Sequence, residues 1–372
     1  MKTYIWQQSN WPQFTWDEAR LLPKISDARL KQGRLIQKIQ SLAEGELTKA
    51  EALILEEETL KTAQIEGEKY NPESVRSSIH RRLGLDYAGL PKTERHIDGL
   101  VEVLFNATTQ HDKELTLDRL KSWQAALFPT GYSGMLKIKA GKFRTDASGP
   151  MQVVSGPMGR ETVHYEAPPA DRLEKDLRQF LLWWYESSSN MDGIIRAGVA
   201  HFYFITLHPF EDGNGRLARA LTDMALAQDD KLAKRYYSLS SKILNRKRDY
   251  YNILERSQKS DLDITEWLIW FIDSFETALG SSQSLLASIF DKAEFWNKYR
   301  QVKLSDRQRK VVNALLDAGK GNFEGSLTTR KYVGMTKVSR ATAIREINDL
   351  LEKDILTKNQ EAGRSVNYDL NW

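Results

Sequence analysis

Residues 199–227 constrain this chain more than any other stretch. An apolar run, Val199 to Leu207 (VAHFYFITL), leads into His208-Pro209-Phe210-Glu211-Asp212-Gly213-Asn214-Gly215-Arg216, and a periodic apolar run follows from Leu217 to Ala227. The pattern predicts helix, tight loop, helix. Gly213 and Gly215 flank Asn214, so the loop backbone can take positive φ at little cost.

That local geometry has chemical consequences. A loop turning into a helix leaves several N–H groups unpaired at the helix start. Together with the helix dipole they form an anion site. Arg216 and Arg219 lie three apart on one helical face, and both can fork onto phosphate oxygens. Asp212 is a hard oxygen ligand suited to a Mg2+ ion that bridges phosphates. His208 titrates near neutrality and can serve as a general base. Each residue alone reads blandly: a His before Pro is ordinarily structural, Gly-Asn-Gly is ordinarily a turn, and two arginines ordinarily mark a solvated face. The ordered twelve-residue set is far more specific.

Residues 208–219 (HPFEDGNGRLAR) resemble the signature of the Fic family, with every fixed position present. The resemblance implies transfer of AMP from ATP, with Mg2+, to a hydroxyl side chain of a target protein. It implies His208 as the base that deprotonates the hydroxyl and Asp212 as the metal ligand. Gly213, Asn214 and Gly215 would form the anion hole around the α- and β-phosphates. Arg216 would contact the β-phosphate and Arg219 would clamp the γ-phosphate. Phe210 is expected as a core anchor of the loop. Relatives that transfer the γ-phosphate carry Lys at the place of Gly215, so the glycine here favours nucleotidyl transfer.

Other segments fit the same resemblance. Gly141 to Arg144 (GKFR) precede a Gly/Pro-rich stretch, and Thr162, Val163, His164 and Tyr165 are β-forming residues bounded by turn formers. This looks like the family's hairpin flap, whose exposed edge would align a target segment by main-chain pairing. Tyr251, Leu254 and Gln258 share one helical face. They resemble the family's adenine- and ribose-binding helix, where Asn is commoner at the Gln258 position. Thr62 to Gly67 (TAQIEG) matches the family's inhibitory motif. Thr62 and Glu66 are i, i+4 neighbours and Gly67 is a natural helix cap. The resemblance implies that Glu66 forms a bidentate pair with Arg219 and denies that arginine to ATP.

Composition sets bounds. The chain has 372 residues, of which 41% are hydrophobic, and no cysteine. This predicts two or three globular domains without disulfides or thiolate metal sites. The absence of a signal-like or membrane-spanning apolar run leads us to expect a cytoplasmic protein that does not enter membranes. The expected fold is mainly α: a helical N-terminal domain over 1–95, a helical core with the flap over 96–290, and a winged helix-turn-helix over 300–372. In the first segment Trp6, Trp11, Phe14 and Trp16 are expected to form the core of a small helical layer. Helical patterns follow around Ile25–Leu42 and Thr48–Ile65, and Asn71-Pro72 opens another helix. Leu173–Trp184 and Ile264–Leu279 read as amphipathic helices.

Residues 301–372 carry 13 Lys+Arg against 9 Asp+Glu, which accounts for the whole net charge of +4. Helices capped at Ser305 and Ser339 are predicted, with short strands at Ile355–Lys358 and Ser365–Leu370 around Gly363-Arg364. Arg340, Thr342 and Arg345 are candidate contacts to DNA or a protein partner. Ala341, Ile344 and Ile347 or Leu351 are expected to face the core. Three functions compete: AMP transfer, with the chain itself as one acceptor; AMP removal by the same core; and DNA-binding regulation with the core as a nucleotide sensor. A homodimer fits the family, but no interface is legible.

Overall fold

The computed structural model describes residues 4–86, 89–147, 149–156, 160–324, 326–359 and 366–372. The fold is mainly α, with three two-stranded antiparallel sheets among the described residues. Two compact units divide the chain. One comprises Met1–Ile39 and Thr48–Gln283; the other comprises Gln40–Leu47 and Ser284–Trp372.

The first unit is built around α7 (Gly193–Leu207) and α8 (Asn214–Asp230), the two helices expected from the apolar runs. Every residue of α7 is buried, as is α8 from Arg216 to Ala227. They pack on each other along their length, and α4 (Arg95–Thr109), α5 (Leu117–Leu127) and α6 (Ala170–Asn190) cover them. Close approach is enforced at Gly198, where a Cβ would sit 2.9 Å from the Phe271 ring of α11 (Thr265–Leu285). Trp267, Trp270 and Phe271 of α11 are buried, on the apolar face of that amphipathic helix.

Local signals placed several ends correctly. α3 (Pro72–Leu83) starts after Asn71, whose side chain accepts from the Glu73 and Ser74 N–H groups. α1 runs Glu18–Gln40, beginning earlier than the expected Ile25. Pro23 sits in its second turn, where it removes only one intrahelical bond. α2 (Glu44–Ile65) ends in a Schellman turn: Gly67 has φ 85°, Gly67 N–H donates to Gln64 O, and Glu68 N–H donates to Ala63 O.

The N-terminal aromatics correct one expectation. They do not form a separate helical layer. No α-helix begins before Glu18 among the described residues, so the segment lies against the helical core. Trp11 and Phe14 meet Tyr203 edge-on, Phe14 meets Phe202, and Trp6 donates to the Glu166 carbonyl of the flap at 2.8 Å.

The flap is β3 (Gln152–Ser155) paired with β4 (Thr162–Glu166), with a register shift between Val153 and Val154. A smaller hairpin, β1 (Tyr132–Ser133) and β2 (Leu136–Lys137), precedes it. The remaining helices of this unit are α9 (Leu239–Asn245) and α10 (Lys247–Gln258).

The second unit has its own core, which includes Phe295, Val311, Leu315, Tyr332, Ile347, Leu350 and Leu356. It contains α12 (Ala287–Lys298), α13 (Asp306–Ala318), α14 (Thr329–Thr336), α15 (Arg340–Glu352) and the hairpin β5 (Leu356–Lys358) with β6 (Tyr368–Leu370). Ser305 and Ser339 cap α13 and α15 as read from sequence. The expected strand residue Ser365 and the Gly363-Arg364 turn lie outside the described residues. The core face of α15 differs from expectation. Ala343, Glu346, Ile347 and Leu350 are inside, Ala341 is exposed, and Ile344 is 44% exposed. Ile347 is common to both faces; Ala343 and Leu350 complete its i−4, i, i+3 stripe, which turns Ile344 outward.

Candidate active site

The 208–219 loop is shaped by its own side chains and by distant anchors. His208 ends α7 with φ 48° and ψ 58°, a left-handed conformation uncommon for a residue with a side chain. Its N–H still donates to Phe204 O, while Pro209 cannot continue the helix. Gly213 caps α8 with φ 90°. Asn214 accepts from Phe210 N–H at 2.9 Å and donates to Phe210 O at 2.8 Å, pinching the loop shut. The Asn214 amide side chain is thus committed to the loop, and its main-chain N–H is what remains for an anion. Phe210 is fully buried as the expected anchor.

Arg144 supplies the long-range brace. Its guanidinium is buried and donates to the carbonyls of His208 at 2.7 Å, Pro168 at 2.5 Å and Leu207 at 3.3 Å. Sequence reading noted the segment but not this role. A fixed Arg fork collecting carbonyls from two segments is a tertiary fact with no local signature.

His208 Nδ1 lies 3.3 Å from Ile205 O. A carbonyl can only accept, so Nδ1 carries the proton and Nε2 keeps its lone pair. Burial lowers the pKa to about 4, outweighing the opposing Ile205 hydrogen bond, and the Arg144 charge adds to the fall. The ring is therefore neutral at pH 7 and able to accept a proton. Asp212 is oriented by Gly213 N–H at 2.6 Å and by the Ser133 hydroxyl of β1. Ser133 went unread in the sequence because nothing local links it to the loop.

Both arginines of α8 are engaged. Arg219 is 2% exposed; its Nε donates to Thr62 Oγ1 at 2.6 Å and its Nη2 to Glu66 Oε1 at 2.5 Å, while Nη1 is buried without a partner. The pair is a single hydrogen bond, not the bidentate one expected, because Thr62 occupies the Nε edge. Despite the cost of burial, the Arg219 charge, then that of Arg216, holds the Glu66 carboxyl below its usual range. Arg216 stacks over Phe128 and donates from Nη1 to Glu68 Oε1 at 3.1 Å and Oε2 at 3.2 Å. The Tyr70 hydroxyl donates to Glu68 at 2.5 Å. Glu68 was missed, although an acid two residues past Glu66 was a visible hint. Gly215 makes the approach possible, since a Cβ there would stand 2.4 Å from Glu66 Oε1.

These groups border one cavity of about 560 Å³, lined by Glu66, His208, Asp212, Asn214, Gly215 and Arg219 on one side. Tyr251, Leu254 and Gln258 line it from α10, and His164 and Tyr165 from the flap. Gln258 Nε2 donates to Thr206 Oγ1 at 3.2 Å. Tyr165 is corrected as a docking residue. It is buried, packs on Tyr4 and donates to Thr206 O at 2.7 Å, so it anchors the flap. Thr162 is exposed and Val163 half-buried, while His164 turns toward Ser155 and Glu255. In the second unit, Arg340 and Arg345 are exposed and Thr342 is half-buried, with its N–H spent on the Ser339 cap.

Comparison with known proteins finds a family match for part of this region. Residues 114–226 match the model of the Fic/DOC family. Residues 4–85, ahead of that match, are similar to a family described as a domain of unknown function, DUF4172. Protein adenylyltransferase fic-1 of Caenorhabditis briggsae is 49% identical over 41 residues, 11% of this chain and 8% of that protein. The C. elegans protein of the same name is 46% identical over 41 residues, with the same coverage. The chain thus matches a small part of these relatives. Among solved structures, a Fic family protein from Desulfovibrio desulfuricans has a TM-score of 0.59 at 20% identity, covering 97% of this chain and 98% of that one. A Fic domain containing signaling protein from Bacteroides thetaiotaomicron has a TM-score of 0.52 at 17% identity, covering 71% and 97%. Both likenesses are of fold. Among the described residues, no helix is long and apolar enough to cross a membrane.

Proposed function

We propose that this chain is a protein adenylyltransferase held at low activity by Glu66. One observation carries the reading: a neutral, half-buried His208, Asp212, the start of α8 and an Arg219 occupied by Glu66 all border one cavity. The 41-residue likeness to proteins named adenylyltransferases supports the direction of chemistry.

In this reading ATP lies with its phosphates on the N–H groups of the first turn of α8. Arg216 and Arg219 take the β- and γ-phosphates once Glu68 and Glu66 release them. Tyr251, Leu254 and Gln258 receive the nucleoside. The donor set at Asp212 fits a Mg2+ ion that arrives with the nucleotide, because this ion typically takes one or two carboxylates and completes its shell with phosphates and water. When bound it would neutralise charge on the leaving pyrophosphate. A target hydroxyl, from a chain paired to the flap edge, gives its proton to His208 Nε2. Its oxygen bonds the α-phosphorus while the bond to the β-phosphate oxygen breaks, and pyrophosphate leaves. Run on a modified target, the same cavity would use Glu66 to orient water, giving AMP removal.

The test compares parent, Glu66→Gly and His208→Ala with ATP labelled at the α- or γ-phosphate. The expected result is α-label on protein, strongest in Glu66→Gly, with transfer to a separate target protein lost in His208→Ala. Label from the γ-position alone overturns the reading.

For the second unit we propose a winged helix-turn-helix that binds duplex DNA through α15. The exposed Arg340 and Arg345 at a capped helix start support it. Full-length protein on a duplex should bind with salt-dependent affinity. Salt-independent or absent binding to a panel of duplexes favours docking of a protein instead.

A further inference from the structure

The flap and α10 hold a second set of chemical groups that the preceding mechanism leaves unused. Ser155 Oγ of β3 lies 2.6 Å from His164 Nε2 of β4, and His164 Nδ1 lies 2.7 Å from Glu255 Oε2 of α10. The three residues come from three elements, and all line the cavity that contains His208, Asp212 and Arg219.

The proton positions follow from the partners. The Glu255 carboxylate can only accept, so the neutral imidazole carries its proton on Nδ1. In that form Nε2 holds a lone pair and accepts from the Ser155 hydroxyl. That is the polarity of a nucleophile, its base and the group that orients the base. Glu255 is kept ionised: the cost of burying it is outweighed by its hydrogen bonds to Lys259 and His164. Lys259 holds the second oxygen, so the carboxylate cannot swing away from the imidazole. Ser155 itself is exposed on its strand, open to an attacking trajectory as far as the described residues are concerned.

We propose that Ser155 is a self-adenylylation site with its own base, His164, oriented by Glu255. The inference rests on the proposed transfer activity, since it needs ATP in the shared cavity. Ser155 Oγ bonds the α-phosphorus of ATP, the bond from that phosphorus to the β-phosphate oxygen breaks, and pyrophosphate leaves. The hydroxyl proton passes to His164 Nε2. The product is a phosphodiester at the flap, with the serine no longer able to donate to His164.

The experiment uses the full chain carrying Glu66→Gly, with ATP and Mg2+, followed by peptide mapping of AMP by mass spectrometry. AMP on Ser155 is expected. His164→Gln and Glu255→Gln should each slow that labelling, the first by about 10²–10⁴-fold as for loss of a general base. Adding His208→Ala should abolish transfer to other acceptors and spare labelling of Ser155, an outcome that a merely structural tie could not give. AMP elsewhere on the chain but not on Ser155 overturns this proposal and leaves the transfer reading standing. No AMP on any residue overturns both. Labelling of Ser155 that depends on His208 and ignores His164 overturns the assignment of the base.

Discussion

Replacing Glu66 by glycine isolates the contact on which the proposed inhibition depends. The contact is one charge-assisted hydrogen bond, Arg219 Nη2 to Glu66 Oε1 at 2.5 Å, with the arginine 2% and the glutamate 28% exposed. Hydrogen bonds to charged groups contribute about 1.5–3 kcal/mol net. If that amount holds Arg219 away from the γ-phosphate, releasing it raises the competent fraction by about 10- to 150-fold, at about 1.4 kcal/mol per tenfold. The lower half of that range is expected, because Thr62 still holds the Nε edge at 2.6 Å. The assay is the initial rate of α-phosphate transfer with ATP and Mg2+ saturating, for parent, Glu66→Gly, Arg219→Ala and the double variant. Arg219→Ala should cancel the gain, because the freed guanidinium is what acts. Without nucleotide, Glu66→Gly should also melt lower than the parent, since it leaves a buried arginine charge unpaired. ATP should restore more of that loss in the variant than in the parent. A Glu66→Gly rate within about twofold of the parent refutes the argument, whatever happens to the melting temperature.

Four further outcomes follow from the geometry. Glu68→Gln should tighten ATP binding several-fold by freeing Arg216, measured by titration calorimetry; the effect stays modest because the Glu68 side chain is 37% exposed and solvent screens the pair. Stability should fall as pH drops from about 6.5 toward 4, because burial lowers His208 to about 4 and His201 to about 3. In that window the unfolded chain binds protons that the folded chain refuses, so His208→Asn should flatten part of the slope in a melting series. The Glu66 pair acts lower: its carboxyl is held below its usual value, so its stabilisation is present above about pH 4.5 and is lost as pH falls through the folded value. Gly99→Ala should destabilise by about 1–3 kcal/mol in denaturant melts, because a Cβ there would meet the Ala126 carbonyl oxygen at 1.8 Å, where backbone cannot yield cheaply.

Much of the helical architecture and the loop was legible because their signals are local. The apolar runs around 199–227, the Asn71, Ser305 and Ser339 caps, the Gly67 turn and the β-forming Thr162–Tyr165 each lie within a few residues of the structure they specify. Periodicity and capping act at that range, so reading them needs no knowledge of the rest of the chain. The twelve-residue loop was legible for the same reason, down to the buried Phe210. The inhibitory pairing was reached only through a family likeness, since no local rule joins residue 66 to residue 219.

What tertiary structure alone decided is which groups meet. Arg219 reaches Thr62 across 157 positions and Glu66 across 153. Arg144 gathers carbonyls from two segments, Ser133 orients Asp212, and Glu255 finds His164 across 91 positions. Packing also overruled local expectation. It turned Ile344 outward on α15, buried Tyr165 beneath the flap, and laid the N-terminal aromatics on α7 rather than in a layer of their own. The physical reason is common to all of these. Hydrophobic burial fixes how the helices stack, and only then do long polar side chains acquire partners, through geometry that no stretch of sequence contains.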